Sequence, residues 1–233
     1  MDSHDSVLNV SEVIDLEKRL VEKGTSLVTL MQRAGGSVAD WVAKNLDNSN
    51  PIVIFCGSGN NGGDGWVVAD NLASQGYPVT LFTPSPAQEL KVEPARRAAL
   101  RATAKGYSSL SIIVDPAKGQ IESLLAPATL VVDAILGTGF NGTTVKRPYA
   151  AWIKAINSTK RLRREMIVLA VDVPSGLSAQ SGQAAEPCIV ADLTITMLVY
   201  KTGLMTAAAR SYCGDLQLAR IAEVDGLVGL SKV

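Results

Sequence analysis

The chain has 233 residues, of which 47% are hydrophobic, and it carries 22 basic and 22 acidic side chains. This length suffices for one sizeable core, and the zero formal net charge gives no reason to expect nucleic acid or a membrane surface as a partner. No stretch approaches the roughly 18 apolar residues that a membrane span needs. The three cysteines lack the spacing of a disulfide framework or a zinc site, so we expect reduced thiols and a cytoplasmic location. We predict a single domain over residues 1–233, with a flexible tail over residues 1–10.

Residues 11–45 have the apolar spacing of two helices, with Gly24 between them. Two adjacent glycines, Gly35 and Gly36, lie within the second helix. A glycine inside a helix costs about 1 kcal/mol relative to alanine. The pair of glycines therefore predicts a close contact between this helix and a neighbouring one.

The stretch from Pro51 to Ala69 combines a buried strand with a glycine-rich turn. Residues 52–56 are apolar and rich in β-branched side chains, which is typical of a strand buried on both faces of a parallel sheet. Glycines, two asparagines and an aspartate fill residues 57–65, and we expect a helix to begin at Trp66. Glycines permit positive φ angles and a close approach to a ligand, and the amides of a helix N-terminus favour an anion. The pattern predicts a phosphate cradle, although an ordinary Gly/Asn turn has the same composition.

Neither common nucleotide motif explains this turn. A P-loop ends in Gly-Lys-Ser/Thr, which residues 64–66 do not contain. A dinucleotide fingerprint fits residues 57–62 only loosely, and Thr83 replaces the acidic residue that a conventional NAD-dependent oxidoreductase needs at the end of the second strand. The polar side chains inside the turn indicate a site that holds more than phosphate.

Strands and helices alternate along the rest of the chain. We predict helices at 88–105 and 149–157 and strands at 77–82, 111–114, 128–136, 166–173, 193–198 and 216–221. This alternation predicts an α/β fold, a Rossmann-like three-layer sandwich with a mainly parallel central sheet and helices on both faces.

Polar residues collect where the predicted strands end. In a parallel sheet the ligand lies beyond the carboxyl ends of the strands, and residues 60–64, 133–142 and 172–176 all fall there. Asp133 and Asp172 interrupt apolar strands, and a buried carboxylate needs a cation or strong hydrogen-bond donors. Each could instead simply accept loop amides.

Four segments together carry a family resemblance. They are CGSGNNGGDGWVVA at 56–69, VVDAILGTGFNG at 131–142, VDVPSGL at 171–177 and ADLTITMLVYKTGL at 191–204. In this order they resemble the YjeF N-terminal domain family, the NAD(P)H-hydrate epimerases, over almost the whole chain. The resemblance implies interconversion of the R and S forms at C6 of the hydrated nicotinamide ring in NADHX and NADPHX. This is a repair step that lets an NAD(P)HX dehydratase restore the reduced cofactor.

The resemblance also implies the residues of the site. One potassium ion per subunit would be held by Asn61, Asp133 and Ser175, which all offer hard oxygen ligands. The implied substrate contacts are Asn60, Asn61, Gly62, Gly63, Asp64, Gly137, Thr138, Gly139, Phe140, Asn141, Gly142, Thr143 and Asp172.

For the chemistry, we hypothesise that Asp172 is the catalytic acid and base. Epimerisation at C6 needs proton transfer and stabilisation of a cationic ring, and His4 is the only histidine. Lys201 follows a predicted strand and would either contact a phosphate or be an ordinary surface lysine. The apolar N-terminal helices favour a homodimer. An alternative function is a catalytically inactive nucleotide-binding scaffold or sensor domain of the same fold, although the complete motifs favour an enzyme.

Overall fold

A seven-stranded sheet between two layers of helices forms the body of the protein in a computed structural model, which describes residues 6–228. The strands are β1 (Val7–Leu8), β2 (Ile52–Cys56), β3 (Val79–Thr83), β4 (Leu110–Val114), β5 (Leu130–Ala134), β6 (Ile167–Val171), β7 (Leu193–Met197), β8 (Tyr200–Lys201) and β9 (Asp215–Ala219). The helices are α1 (Val10–Glu22), α2 (Leu27–Asn45), α3 (Asn60–Ser74), α4 (Ala95–Lys105), α5 (Lys118–Leu125), α6 (Tyr149–Leu162) and α7 (Arg210–Cys213). None of these described helices is long and apolar enough to cross a membrane.

The main sheet is parallel throughout, with the strand order β4-β3-β2-β5-β6-β7-β9. The strands that follow β2 lie on one side of it, and those from β5 onwards lie on the other. Such a reversal opens a crevice at the carboxyl ends of the two central strands, where Rossmann-like folds bind their ligands. The fold class predicted from the sequence is confirmed.

Each face of the sheet has its own hydrophobic cluster. Ile52 and Ile54 of β2 belong to the cluster under α1 to α4, whereas Val53 and Phe55 belong to the one under α5 and α6. This alternation follows from the two-residue period of a strand. The central strands are therefore covered on both sides, and only their carboxyl ends remain open to a ligand.

The N-terminal segment is joined to the rest of the molecule. β1 pairs in parallel with β8, with Leu8 opposite Lys201. Helix α1 then begins at a capping box in which Asn9 and Glu12 exchange hydrogen bonds. Within the stretch predicted as a flexible tail, Val7 and Leu8 thus form a strand, Asn9 caps α1 and Val10 begins it. The rest of that prediction, with His4, lies outside the described residues.

Most of the glycine-rich stretch is helical, because α3 begins at Asn60 and not at Trp66 as predicted. None of the glycines in residues 57–65 has a positive φ angle, so that part of the prediction is wrong. A Cβ on Gly62 would lie 1.9 Å from the carbonyl oxygen of Gly57, and one on Gly65 would lie 2.6 Å from Cβ of Ala134. Gly62 and Gly65 are needed because α3 packs directly against the ends of β2 and β5.

The remaining predicted elements agree with the structure except at a few places. The strand boundaries lie within two residues of those predicted. The helix predicted over 88–105 is shorter, since α4 starts only after Pro94. Helix α5 and the β1–β8 pair have no counterpart among the predicted elements. The predicted helix contact is confirmed for Gly35, where a Cβ would lie 2.5 Å from Cβ of Val67, whereas Gly36 faces open space.

Candidate active site

A cleft of about 590 Å³ opens at the carboxyl ends of β2, β5 and β6. Apolar side chains from α1 and α2 form one wall, and residues 58–61 and 137–140 form the polar part. Its charged lining residues are Glu17, Asp64, Asp172 and Lys201. The volume is within the range of about 300–1,000 Å³ that small-molecule sites occupy.

Asp172 directly follows β6 and lines the cleft. Its φ of 66° is in the left-handed region, which residues other than glycine rarely adopt and which often marks functional sites. Its Oδ1 accepts hydrogen bonds from Lys201 Nζ at 2.5 Å, from the Met197 amide at 3.0 Å and from Thr196 Oγ1 at 3.2 Å. All of these donors share Oδ1, so Oδ2 has no hydrogen bond from the described residues and can act on a bound molecule.

Lys201 is only 1% exposed and forms an ion pair with Asp172. Besides the carboxylate, its Nζ donates to the Met197 carbonyl at 2.7 Å and contacts Thr196 Oγ1 at 3.1 Å. The three protons of the ammonium group therefore all have acceptors. Lys201 is therefore not the surface lysine that the sequence allowed, because its charge is paired with Asp172 inside the protein.

Asn61, Asp133 and Ser175 lie together around the backbone of Leu136. Asp133 is fully buried and accepts hydrogen bonds from the Ser175 hydroxyl at 2.5 Å, the Ser175 amide at 2.8 Å and the Ile135 amide at 3.2 Å. Ser175 Oγ accepts from the Leu136 amide at 2.8 Å, and Asn61 Nδ2 donates to the Leu136 carbonyl at 2.9 Å. Burial raises the pKa of Asp133 to about 6, and its hydrogen bonds with Ser175 and Ile135 limit the rise. The three residues implied as cation ligands thus share one neighbourhood.

One oxygen atom of this group lacks a partner that a cation would supply. Asn61 Oδ1 is buried and has no hydrogen-bond partner among the described residues. An orphaned buried oxygen costs free energy unless a donor or a cation meets it. Together with one carboxylate and one hydroxyl it forms a hard oxygen set of low charge, which suits an alkali ion. Within residues 6–228, no group of three or more His, Cys, Asp or Glu side chains is arranged to hold a metal.

Two further carboxyl groups line the cleft, Glu17 from α1 and Asp64 from α3. Burial raises the pKa of Glu17, and it raises the pKa of Asp64 well above its usual range. The charge of Asp172 raises both pKa values further, while the Lys201 ammonium lowers them. The cleft therefore gathers the carboxyl groups of Glu17, Asp64 and Asp172 around the Lys201 ammonium group. Such an arrangement is typical of sites that transfer protons.

The substrate contacts implied by the sequence divide into three groups. The cleft is lined by Asn60, Asn61, Asp64, Gly137, Thr138, Gly139, Phe140 and Asp172. Gly62 and Gly63 are buried within α3, where a Cβ on Gly63 would lie 2.5 Å from Cε of Met31. The third group of implied contacts is exposed and does not line the cleft: Asn141, Gly142 and Thr143.

Sequence analysis missed three polar lining residues, Glu17, Ser58 and Tyr149. The Ser58 amide donates to the Tyr149 hydroxyl at 3.1 Å, and that hydroxyl donates to Ser58 Oγ at 3.1 Å. This pair joins the end of β2 to the start of α6, a contact that no local pattern reveals. Glu17 did leave a signal, because it follows the apolar residue Val13 at helical spacing.

Known proteins share this fold and sequence. A family model described as YjeF-related protein N-terminus matches residues 28–203. The NAD(P)H-hydrate epimerase of Limosilactobacillus fermentum is 34% identical over 196 residues, which cover 84% of this chain and 86% of that protein. The bifunctional NAD(P)H-hydrate repair enzyme Nnr of Coxiella burnetii is 37% identical over 210 residues, or 90% of this chain. This chain spans 31–40% of the length of the bifunctional relatives.

A solved structure has the same fold. The crystal structure of the yeast protein ynu0 superposes with a TM-score of 0.71 at 23% identity, over 85% of this chain and 82% of that one. The family model covers the strand ends that build the cleft, from Asn60 to Lys201. The chain belongs to the YjeF N-terminal family.

Proposed function

We propose that this chain is an NAD(P)H-hydrate epimerase, which interconverts the R and S forms at C6 of the hydrated nicotinamide ring of NADHX and NADPHX. The observation that carries the proposal is the meeting of three strand ends in one cleft, with Oδ2 of Asp172 free to act there. The name of the Limosilactobacillus relative, which is similar in extent to this chain, supports the same activity.

The shape of the cleft suits such a dinucleotide. Helix α3 begins at Asn60, within the polar lining of the cleft. Because the first amides of a helix lack partners within it, they favour the substrate's diphosphate. The hydrated ring then lies towards Asp172, against the apolar wall that includes Leu30 and Met31. An apolar wall excludes water from the reacting carbon and strengthens the electrostatic interactions around it.

Asp172 supplies the proton transfer. When the bond between C6 and its hydroxyl oxygen breaks, the electron pair leaves with the oxygen, a proton makes the leaving group water, and the ring nitrogen shares the positive charge. Return of water to the other face, with loss of a proton, gives the other epimer. A carboxylate can exchange this proton and stabilise the cationic ring. Lys201 and the Met197 amide fix the orientation of this carboxylate in the cleft.

A potassium ion fits the neighbouring oxygen set. Asn61 Oδ1, the Asp133 carboxylate and Ser175 Oγ would hold it. Such an ion would supply a fixed positive charge that orders the loops after β2, β5 and β6. The orphaned Asn61 oxygen is the observation that supports this assignment.

The wider setting of the enzyme follows from the same proposal. Its functional partner would be an NAD(P)HX dehydratase. The support is that longer relatives, of which this chain matches one part, are named bifunctional NAD(P)H-hydrate repair enzymes. Val21 is 43% exposed on α1 and does not line the cleft, which supports a homodimer through the N-terminal helices. The cysteines Cys56, Cys188 and Cys213 are free and buried, in keeping with a cytoplasmic enzyme.

The test is direct. Separated R and S NADHX are incubated with the protein, and the approach to equilibrium is followed by chromatography beside a protein-free sample. We expect interconversion from either epimer to be faster with the protein. Unchanged rates, with nucleotide binding still measurable by calorimetry, would favour an inactive scaffold or sensor domain instead.

A further inference from the structure

Glu17 and Asp172 line the same cleft but belong to different elements of the fold. Glu17 lies on α1, one turn after Val13 and Ile14, and these three residues line the same cleft. Asp172 arrives from the end of β6. Glu17 and Asp172 can therefore meet a bound ring from two separate elements of the fold.

The position of Glu17 is well defined by its helix. Val13, Leu16 and Leu20 of α1 are buried in the main core, and the capping box fixes where the helix begins. Just before it, Leu8 of β1 pairs with Lys201 of β8, the residue that holds Asp172. The backbone thus links the helix that carries Glu17 to the ion pair that defines the site.

The Glu17 carboxyl group has no structural task among the described residues. It is partly buried, yet no hydrogen bond or salt bridge within residues 6–228 involves it. The charged groups that face it are Asp172, Lys201 and, from α3, Asp64. A carboxylate placed beside two others costs stability. A residue that costs stability and lines a reactive cleft is a candidate for chemistry.

We propose that Glu17 is a second catalytic residue of the epimerase, which exchanges protons with the C6 oxygen on the side of the ring that Asp172 does not serve. The assignment rests on the proposed function and deepens it. Epimerisation moves the oxygen from one face of C6 to the other, and one fixed carboxylate reaches only one face. Two carboxyl groups on separate elements serve both.

With Glu17 and Asp172 as acid and base, every proton in the reaction is accounted for. In one direction the Glu17 acid gives its proton to the leaving hydroxyl, the C6 to oxygen bond breaks, and water and a ring cation form. Water then adds to the opposite face and loses a proton to Asp172, which yields the other epimer with no net redox change. The reverse direction exchanges the two roles. Transfer of the proton back from Asp172 to Glu17 through solvent resets the enzyme.

Asp64 suits this role less well. Burial raises the pKa of Asp64 well above its usual range, which disfavours the carboxylate form. A group that must both give and take a proton needs a pKa closer to the working pH. At Glu17, burial and the Asp172 charge raise the pKa, and the Lys201 ammonium opposes that rise.

The test compares Glu17→Gln with Glu22→Gln, an exposed position on the same helix. For the wild type and both variants, kcat and KM are measured from R and from S NADHX between pH 5 and 9, with thermal melts beside them. Since general acid catalysis contributes about 10²–10⁴-fold, kcat of Glu17→Gln should fall at least about 100-fold in both directions. KM should change less than about threefold, and Glu22→Gln should behave as the wild type.

The pH profile separates chemistry from structure. The acid form of Glu17 is lost as the pH rises through its pKa, so in the direction in which Glu17 is the acid wild-type kcat should fall on the alkaline side, and the residual rate of Glu17→Gln in that direction should not. A Glu17→Gln variant that keeps half of the wild-type kcat, or that shows the alkaline fall of the wild type in both directions, overturns the assignment while the epimerase function stands. A wild type that does not interconvert the epimers overturns both proposals.

Discussion

Asp172 and Lys201 form the ion pair on which the site depends. The side chain of Lys201 is 2% exposed and that of Asp172 is 14% exposed. Charges this far from water are tolerated only when they are paired and hydrogen-bonded. The pair therefore holds the Asp172 carboxylate in one orientation, and the left-handed backbone of Asp172 is a cost that the fold sustains at this position.

Removal of the Lys201 charge should show how far the site depends on the ion pair. In Lys201→Met the Asp172 carboxylate stays in the interior without its partner, so we expect the free energy of unfolding to fall by about 3 kcal/mol. Chemical denaturation measures the change, and Lys91→Met, at an exposed position, serves as the control. Asp172→Asn added to Lys201→Met should recover most of the loss, because no charge is then left unpaired. Equal stability of Lys201→Met and the wild type would contradict the pairing.

Sequence patterns predicted which residues carry function better than how they act. Asp133, Asp172 and Asn61 stood out as polar residues in apolar or glycine-rich surroundings, and all three lie at the cleft or directly behind it. The burial of Lys201 was not predictable, since it depends on a hydrogen bond to a carboxylate 29 residues earlier in the chain. The helical spacing of Glu17 from Val13 was visible in the sequence, but only the tertiary fold brings α1 over the end of β6.

At the scale of elements, helix α3 explains the glycine-rich motif. The sequence predicted a loop with positive φ angles, as such glycines often form in phosphate sites. In the structure Gly62, Gly63 and Gly65 are helical, and they are small because α2, α3 and the strand ends are in close contact. Composition alone does not distinguish a glycine needed for a positive φ angle from one needed for close packing, since both positions exclude a side chain. The consequence is that the N-terminus of α3 lies directly at the switch point of the sheet.

The two glycines of α2 test this packing argument within one helix. A Cβ at Gly35 would overlap Val67 of α3 at 2.5 Å, so Gly35→Ala should destabilise the protein by about 1–3 kcal/mol. Gly36 has no atom near its Cβ position, and Gly36→Ala should stabilise the protein by about 0.5–1 kcal/mol through helix propensity. Urea denaturation of both variants measures the difference. Opposite signs are expected, and a stabilising Gly35→Ala would refute the close contact.

At the scale of the whole molecule, the strand order decides where function lies. Local periodicity was sufficient to predict alternating strands and helices and hence a parallel sheet. The order β4-β3-β2-β5-β6-β7-β9 then places the motif after β2 next to the motif after β5. The β1–β8 pair could not be predicted, because each of its strands has two residues and no periodicity. That small sheet nevertheless sets the position of α1 over the cleft.

The proposed potassium site should contribute to the stability of the whole fold. An ion that binds only the folded state stabilises it by RT ln(1 + [K⁺]/Kd). We therefore expect the melting temperature to rise with potassium chloride but not with tetramethylammonium chloride at equal ionic strength. Asn61→Ala removes the orphaned oxygen and should abolish the rise, whereas Asn60→Ala, at an exposed position, should keep it. The same response to both salts in the wild type would argue against a specific site.

The central claim is that the Asp172 carboxylate, held in this cleft, epimerises the hydrated cofactor. The most direct measurement compares the rates at which wild type, Asp172→Asn and the exposed control Asp215→Asn interconvert purified R and S NADHX at matched protein concentration. We predict that Asp172→Asn loses at least about 100-fold in rate while it still binds the nucleotide, since proton transfer contributes about 10²–10⁴-fold. Asp215→Asn should match the wild type. Interconversion by Asp172→Asn at a rate close to that of the wild type would contradict the claim.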